Sequence, residues 1–301
     1  MIPNIPFENF FSYDPMAFDM AAHVLTLGYA AMLAGLFYFI LTIRTVAPKY
    51  RISSVLSVVV MVSAFLLLYA QAQNWNAAFV YDGATDQYVR AEGAATFTNG
   101  YRYLNWLIDV PMLLFQILFV INIAPGKFAS YRNQFFFSGA MMVVTGYVGQ
   151  YYEVSNALAF YAWGFISTVF FFHVLYLMRK ILKEGQVGMA PRAAKVINSI
   201  WLLFLVSWML YPGAYLMPVI TDMSQLALTG GGVGSSDVAL AALFEGDTAV
   251  VARSITYTVA DITSKVIYGV LLTVAAQIRS EEEDGYDYVK LEDMMSRGTT
   301  A

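Results

Sequence analysis

Residues 256–272 read TYTVADITSKVIYGVLL, an apolar run broken by one acid and one base. Lys265 is the only lysine of the chain inside a long apolar segment, and Asp261 lies four residues before it. That spacing places both side chains on one face of a helix. A charge within hydrocarbon is costly, so it indicates a function.

Two interpretations of this pair stay open on position alone. In the first, Lys265 and Asp261 form a buried ion pair that only holds helices together. In the second, Lys265 is joined to a carbonyl cofactor as a Schiff base, and Asp261 is its counter-ion.

The composition indicates a membrane protein. Hydrophobic residues make up 59% of the chain and charged residues 13%, and the mean hydropathy is +0.59. A soluble domain carries about twice that share of charge. Seven stretches are apolar over about 20 residues, the length that crosses a bilayer. They lie near residues 20–43, 52–73, 103–123, 133–152, 156–178, 196–220 and 250–278.

The predicted fold is therefore an all-α membrane protein, a bundle of seven transmembrane helices in a lipid bilayer. We expect an extracellular N-terminal segment at residues 1–19, the bundle at 20–279 and a solvated acidic tail at 280–301. The alternating run at 79–99 contains Asp82-Gly83, which predicts a short β-hairpin between helices two and three.

Lysine and arginine predict the orientation. They gather in the connections that follow predicted spans one, three and five, at Arg44, Lys49, Arg51, Lys127, Arg132, Arg179, Lys180, Lys183, Arg192 and Lys195. The positive-inside rule then places the N-terminus outside the cell membrane and the C-terminus in the cytoplasm. Without cysteines, neither disulfides nor thiolate metal ligands are possible, and two histidines are too few for a histidine metal site. The net charge of −4 gives no indication of nucleic-acid binding.

A polar stripe runs along the third span. Arg102, Asn105, Asp109 and Gln116 are spaced three, four and seven residues apart, so they share one helical face. The helix rises about 20 Å over this distance, which is most of a hydrocarbon core. Hydrogen bonding between helices would explain either amide alone. It explains poorly an arginine, a carboxylate and two amides in register.

Three motifs resemble the microbial (type 1) rhodopsins. They are Arg-Tyr-x-x-Trp-Leu-x-x-x-Pro at 102–111, Trp-x-x-Tyr-Pro-x-x-Tyr at 208–215 and Asp-x-x-x-Lys at 261–265, and the match covers the whole seven-span region in order. The resemblance implies all-trans retinal bound to Lys265 as a protonated Schiff base. It also implies a retinal pocket formed by Trp106, Met142, Gly146, Ser167, Thr168, Trp208, Tyr211, Pro212 and Tyr215. Taken singly, these aromatic residues are equally well explained by core packing.

The triplet Asn105, Asp109 and Gln116 resembles the motif of the light-driven sodium-pumping rhodopsins. An outward proton pump of the family needs carboxylates at the first and third positions, and amides cannot exchange protons near neutral pH. Asp109 and Asp261 together would repel a chloride ion. The resemblance therefore implies an outward Na⁺ pump, which is a transporter and not an enzyme. An outward proton pump, also when Na⁺ is scarce, and a sensory rhodopsin are the alternatives.

The resemblance also implies roles for the remaining polar residues. Asp109 and Asp261 would be counter-ions, with Asp109 as the nearest proton acceptor. Na⁺ would rest briefly on Asn105 and Asp261, with Gln116 and Ser63 contributing to selectivity. A cytoplasmic path would follow Ser54, Ser57, Gln116 and Thr273, and the extracellular exit Arg102, Gln71, Glu153 and Arg253. For the serine and threonine residues, bonding back to helix carbonyls is the structural alternative.

Partners are also implied by the resemblance. It suggests a homo-oligomer, a pentamer, in which His23 of the first span would contact a neighbouring protomer. Because the chain has a complete polar path through the membrane, a transducer protein is not expected as a partner.

Overall fold

The computed structural model describes residues 5–220, 246–288 and 292. In this part of the chain, seven long helices form one bundle, which confirms the predicted fold. They are α1 Pro15–Thr42, α2 Arg51–Ala78, α3 Gly100–Gln116, α4 Pro125–Gln150, α5 Ala157–Gly185, α6 Pro191–Tyr215 and α7 Gly246–Glu282.

The helices begin at recognisable sequence signals. Pro15, Pro125 and Pro191 occupy the first turns of α1, α4 and α6, where a missing N–H costs nothing. Asp14 and Asn156 cap α1 and α5 by accepting a hydrogen bond from a backbone N–H of the first turn.

Several predicted boundaries differ from the observed helix ends by three to eight residues. The N-terminal segment ends at Asp14 because Pro15 starts α1, and α7 continues past residue 279 to Glu282. Lys127 and Arg132 lie on α4 and not in a connection, because Pro125 starts this helix eight residues before the predicted span. Charges in the first turns of a membrane helix hide its start from a hydropathy criterion.

Helix α7 changes its winding at the lysine. It is α-helical over Gly246–Asp261, π-helical over Ile262–Ile267 and α-helical again over Tyr268–Glu282. Single π-helical turns are rare in proteins, and many of those that occur lie at functional sites. Lys265 therefore projects from the irregular turn of the helix.

The bundle has the surface of a membrane protein. Each helix packs on the next, and α7 closes the ring onto α1. In the described chain, five helices are long and apolar enough to cross a bilayer by length and composition. The other two are α3, which is short and polar, and α4, which begins with charged residues. Large apolar side chains point outward around the ring, at Leu27, Phe37, Leu41, Leu66, Phe137, Leu158, Phe165, Phe172, Leu202 and Val206.

We call the end of the bundle that carries residues 5–14 the N-terminal face. The predicted hairpin lies there, with strands β1 Phe79–Asp82 and β2 Gln87–Arg90 paired antiparallel. Tyr13 bonds the backbone of Tyr88, which ties the N-terminal segment to the hairpin. Asp86 is the residue of the turn with a left-handed backbone conformation.

We call the opposite end, where α7 finishes, the C-terminal face. At the start of the predicted solvated tail, Ser280 is buried and accepts a hydrogen bond from Ala47 N, whereas residues 281–285 are exposed. Glu282 pairs with Arg192 in the first turn of α6, and Asp284 pairs with Lys49 in the connection between α1 and α2. Residues 289–291 and 293–301 of the predicted tail lie outside the described residues, as does the connection at 221–245.

Candidate functional site

Lys265 lies in the centre of the bundle and is 1% exposed. Its Nζ is 2.5 Å from Asp261 Oδ1, 2.8 Å from Asn105 Oδ1 and 3.9 Å from Asp109 Oδ2. Of the two predicted counter-ions, Asp261 is therefore the nearer to Nζ in this arrangement, and Asp109, the expected proton acceptor, is the farther. Asp261 is closer because it lies one turn away on the same helix, and the Asn105 side chain lies between Nζ and Asp109.

Asp261 is held by four donors. It accepts hydrogen bonds from Arg102 Nη1 at 2.6 Å, Trp106 Nε1 at 2.9 Å, Tyr211 OH at 3.0 Å and Lys265 Nζ at 2.5 Å. A carboxylate that accepts this many hydrogen bonds, two of them from cations, is strongly stabilised as an anion. Asp261 is thus a fixed negative charge.

Asp109 has a different environment. Its Oδ2 accepts a hydrogen bond from Asn105 Nδ2 at 2.5 Å, and that amide also donates to Ser63 Oγ at 3.3 Å. Its Oδ1 is buried and has no hydrogen-bond partner among the described residues. An unsatisfied carboxylate oxygen near an ammonium is suited to receive a proton.

A cavity of about 230 Å³ extends from Lys265 between α3, α4, α5 and α6. All nine residues predicted to form a pocket line it: Trp106, Met142, Gly146, Ser167, Thr168, Trp208, Tyr211, Pro212 and Tyr215. Its walls are predominantly apolar. A side chain at Gly146 would come within 3.2 Å of Ser167 Oγ, so the glycine keeps space open at the cavity.

Sequence reasoning missed several residues of the cavity wall, among them Tyr103, Gly164, Tyr257 and Ser264. Helical spacing could have found some of them. Tyr103 precedes a predicted wall residue by three positions, as does Gly164, and Ser264 is adjacent to Lys265.

On the C-terminal side of Lys265, the polar contacts around Gln116 are neutral, and the first buried charge is Arg279 at the mouth of the bundle. Ser57 Oγ donates to Gln116 Oε1 at 3.0 Å, which brings two predicted path residues together. Ser54 is buried one turn further along α2. Thr273 donates to the Gly269 carbonyl of its own helix, as the structural alternative expects.

On the N-terminal side, hydrogen bonds and ion pairs form one buried chain. Arg102 Nε donates to Gln71 Oε1 at 3.1 Å, and Gln71 Nε2 donates to Asn99 Oδ1 at 2.9 Å. Asn99 Nδ2 then donates to Glu8 Oε1 at 2.6 Å. Arg253 completes the chain, because its Nη1 donates to Glu8 Oε1 at 3.1 Å and its Nη2 to Glu153 Oε2 at 2.8 Å. The predicted contact between Glu153 and Arg253 is present. Burial raises the pKa of Glu153 above its ordinary value, although the Arg253 charge opposes this shift.

Glu8 is the functional candidate that sequence reasoning missed. It is 2% exposed and lies in a 3₁₀ turn at Phe7–Phe10, over the N-terminal mouth of the bundle. The only signal in the sequence is a carboxylate and an amide placed between two phenylalanines. That pattern shows a turn with an apolar side and does not show what the turn covers.

A buried lysine at the end of an aromatic cavity, inside a seven-helix membrane bundle, is an arrangement suited to hold a carbonyl cofactor as a Schiff base. Residues 19–278 match the family described as bacteriorhodopsin-like protein, and the chain belongs to this family.

Relatives of known identity agree with this membership. Archaerhodopsin-1 from Halorubrum ezzemoulense is 25% identical over 263 residues, covering 86% of this chain and 85% of that protein. Archaerhodopsin-3 from Halorubrum sodomense is 24% identical over 182 residues, which span 60% of this chain and 59% of that protein.

Solved structures also match. Xanthorhodopsin, described as a light-driven ion pump with dual chromophore, has a TM-score of 0.73 at 27% identity over 92% of this chain and 99% of that one. A thermophilic rhodopsin has a TM-score of 0.74 at 26% identity over 94% of this chain and 99% of that one.

The family implies a retinal chromophore, and the residues present fit one. An elongated apolar molecule with one reactive carbonyl needs a hydrophobic cavity that ends at an amine. Trp106 and Trp208 both line the cavity, and Lys265 supplies the amine. The two carboxylates near Nζ balance the charges of Lys265 and Arg102, so the buried centre is neutral overall.

Proposed function

We propose that this protein is a light-driven pump that exports Na⁺, with all-trans retinal joined to Lys265. One observation carries the choice of cargo: the polar groups from Lys265 toward the C-terminal face are amides and hydroxyls at Gln116, Ser57, Ser54 and Thr273. Such groups can bind a cation, but they do not ionise near neutral pH and cannot serve as the donor that returns a proton to Nζ. A pump that reloads protons from this side would need a carboxylate there.

When bound, retinal supplies light absorption and a light-driven change at the Lys265 nitrogen. Before that change, the positive charge on Nζ blocks the axis of the bundle. Two unit charges 4 Å apart repel by about 4 kcal/mol near a protein surface, and by more in a dry interior. A Na⁺ ion therefore cannot pass Lys265 while Nζ is charged.

The proton of Nζ then moves to Asp109, whose Oδ1 is free to receive it. Both groups become neutral, and the electrostatic barrier falls. The Asn105 carbonyl and the Asp261 carboxylate both contact Nζ, so they offer hard oxygen ligands to Na⁺ at that position. Return of the proton to Nζ restores the barrier behind the ion.

The direction of transport follows from the proposed orientation, with the C-terminal face in the cytoplasm. Na⁺ would enter along Ser54, Ser57, Gln116 and Thr273, with Ser63 beside Asn105 at the transient site. It would leave along the charged network of the N-terminal face, which contains Arg102, Gln71, Glu153 and Arg253.

A homo-oligomer, by resemblance a pentamer, is part of this proposal. His23 lies exposed on α1, where a neighbouring protomer could contact it.

An outward proton pump is the second candidate. It is favoured by the free Oδ1 of Asp109, which could release its proton toward the N-terminal face when no Na⁺ is present. The similarity to archaerhodopsins and xanthorhodopsin does not distinguish Na⁺ from protons as the cargo.

The test is light-driven pH change in cells that express the chain with retinal. In unbuffered NaCl, we expect illumination to make the medium alkaline, and a protonophore should increase the signal because protons then enter to balance exported Na⁺. In KCl the medium should acidify or stay unchanged, and cells with Lys265→Ala should show no response. Acidification in NaCl that a protonophore abolishes would identify a proton pump.

A further inference from the structure

Arg279 is a buried cation that the proposed mechanism does not use. It lies on α7 fourteen residues beyond Lys265, about 20 Å along the helix axis, and is 3% exposed. Burying a charge is costly, and few arginines are this enclosed. Its position is the C-terminal mouth of the bundle.

The guanidinium is enclosed by oxygens. Nη1 donates to the Val120 carbonyl at 2.5 Å, and Nη2 donates to Asn122 Oδ1 at 2.5 Å and to Glu283 Oε2 at 2.6 Å. Nε also donates to Glu283 Oε2, at 2.9 Å. The ring of Tyr50 lies 5.3 Å from the guanidinium carbon.

These oxygens are of the kinds that bind hard cations. A backbone carbonyl, an amide carbonyl and a carboxylate are ordinary ligands for such ions. Glu283 is oriented by a hydrogen bond from Ala190 N at 2.9 Å, and its side chain is 19% exposed. The oxygen cage is thus open toward solvent on one side and reaches the bundle interior on the other.

The cage stands at the start of the proposed Na⁺ path. Val120 follows Gln116 by one helical turn, and Tyr50 precedes α2, which carries Ser54 and Ser57. A cation that enters from the C-terminal face toward these residues meets Arg279 first.

We propose that the oxygens of Val120, Asn122 and Glu283 form an uptake site for a monovalent cation, and that the Arg279 guanidinium closes it by occupying it. Na⁺ binds there when the guanidinium turns away. This inference rests on the proposed Na⁺ export, and it adds a site at the mouth of the path.

The competing interpretation is a structural ion pair between residues four apart on one helix end. The two interpretations differ in what Glu283 does after Arg279 is removed. As half of a structural pair, Glu283 then keeps only the hydrogen bond from Ala190 N, and its loss has little effect on Na⁺. As a cation ligand, it becomes more important.

The experiment uses the full-length pigment and measures how the recovery after a flash depends on Na⁺ concentration. Arg279→Gln should lower the half-saturating Na⁺ concentration about fivefold, because Na⁺ then no longer competes with the guanidinium for the same oxygens. Adding Glu283→Gln to that variant should reverse most of the gain. Arg192→Gln and Glu282→Gln, an exposed pair 2.7 Å apart at the same face, are the matched controls.

If Arg279→Gln yields no pigment, Arg279→Lys replaces it, because a lysine cannot bridge three acceptors in one plane and should give a smaller shift in the same direction. The proposal is overturned if neither Arg279 variant shifts the Na⁺ dependence more than the controls, or if Glu283→Gln has no effect in the Arg279→Gln background. A parent pigment with no Na⁺ dependence would overturn the proposed function and this site together. A Na⁺-dependent parent with unresponsive variants would overturn the site alone.

Discussion

The two halves of the bundle on either side of Lys265 are built from different chemistry. On the N-terminal side, Arg102, Arg253, Glu8 and Glu153 form a buried network of full charges linked by amides. On the C-terminal side, the polar path from Lys265 to the mouth consists of neutral groups, with Gln116 and Ser57 bonded to each other.

This difference indicates how a pump can be directional. A charged network is already arranged to stabilise an ion that has passed the lysine, and it costs no reorganisation at that moment. A neutral, closed half admits an ion only after it opens and takes up water. Release is therefore prepared in the resting structure, whereas uptake depends on a conformational change.

Replacing Lys265, which lies between the two halves, has the largest expected effect. Lys265→Ala should abolish visible absorbance, because no other lysine of the chain lies in a long apolar segment. The measurement is the absorption spectrum of the purified protein after retinal is added. A coloured Ala variant, made without an added amine, would contradict the assignment of the cofactor to this residue.

Asp109→Asn should remove transport while keeping the pigment. The change takes away one of two negative charges near Nζ and the only carboxylate with a free oxygen there. We expect a red-shifted band, loss of the transient blue-shifted absorbance that marks proton loss from the Lys265 nitrogen, and loss of Na⁺ export. Flash photolysis is the measurement. Normal transient absorbance with intact export would mean that Asp261 or another group receives the proton.

Introducing carboxylates into the neutral path should weaken the preference for Na⁺. The double change Asn105→Asp and Gln116→Asp places a competing acceptor 2.8 Å from Nζ and a proton donor in the C-terminal half. We expect the light-driven Na⁺ signal to fall about tenfold. Parent-like Na⁺ export by the double variant would show that the amides do not determine the cargo.

The halves should also differ in stability. Arg253→Gln leaves two buried carboxylates without their cation, which costs about 3–5 kcal/mol in comparable sites. Ser57→Ala removes one neutral hydrogen bond, which costs about 1 kcal/mol. Thermal loss of colour should therefore be much faster in the first variant. Equal rates would mean that the charged network does not hold the N-terminal face together.

The smallest expected effect is a pH dependence from Glu153. Because burial raises its pKa above the ordinary value of 4.5, the folded state binds a proton more readily than the unfolded state does. This contribution to stability is complete below pH 4.5 and is lost as pH rises through the raised pKa. Glu153→Gln should remove it, so thermal loss of colour in the variant should depend less on pH across that window. If the pH dependence of the variant is unchanged, a group other than Glu153 causes it.

Much of the fold followed from local patterns in the sequence. Hydropathy located the helices, helical spacing placed Asn105, Asp109 and Gln116 on one face, and turn chemistry located the hairpin. All nine cavity residues that the resemblance implied line the cavity. They lie on four helices other than that of Lys265, so spacing along one helix could not have placed them together.

What the sequence did not reveal depends on contacts between distant segments. Glu8 pairs with a residue 245 positions away, and no local pattern reports that contact. The docking of Ser280 onto Ala47 is of the same kind. The relative distances of Asp261 and Asp109 from Nζ depend on side-chain positions around a π-helical turn, which spacing alone does not give.

That π-helical turn, Ile262–Ile267, makes α7 sensitive to length and not only to composition. A π turn amounts to one residue inserted into an α-helix, and one residue corresponds to a rotation of about 100°. Deleting Thr263 would let this turn rewind as a regular α-helix, so Asp261 and Lys265 would be separated by three residues and not four, and the direction of the Lys265 side chain relative to Asp261 would change. Substitutions at this partly exposed threonine should give coloured protein, whereas its deletion should give none, and the yield of pigment measures the difference.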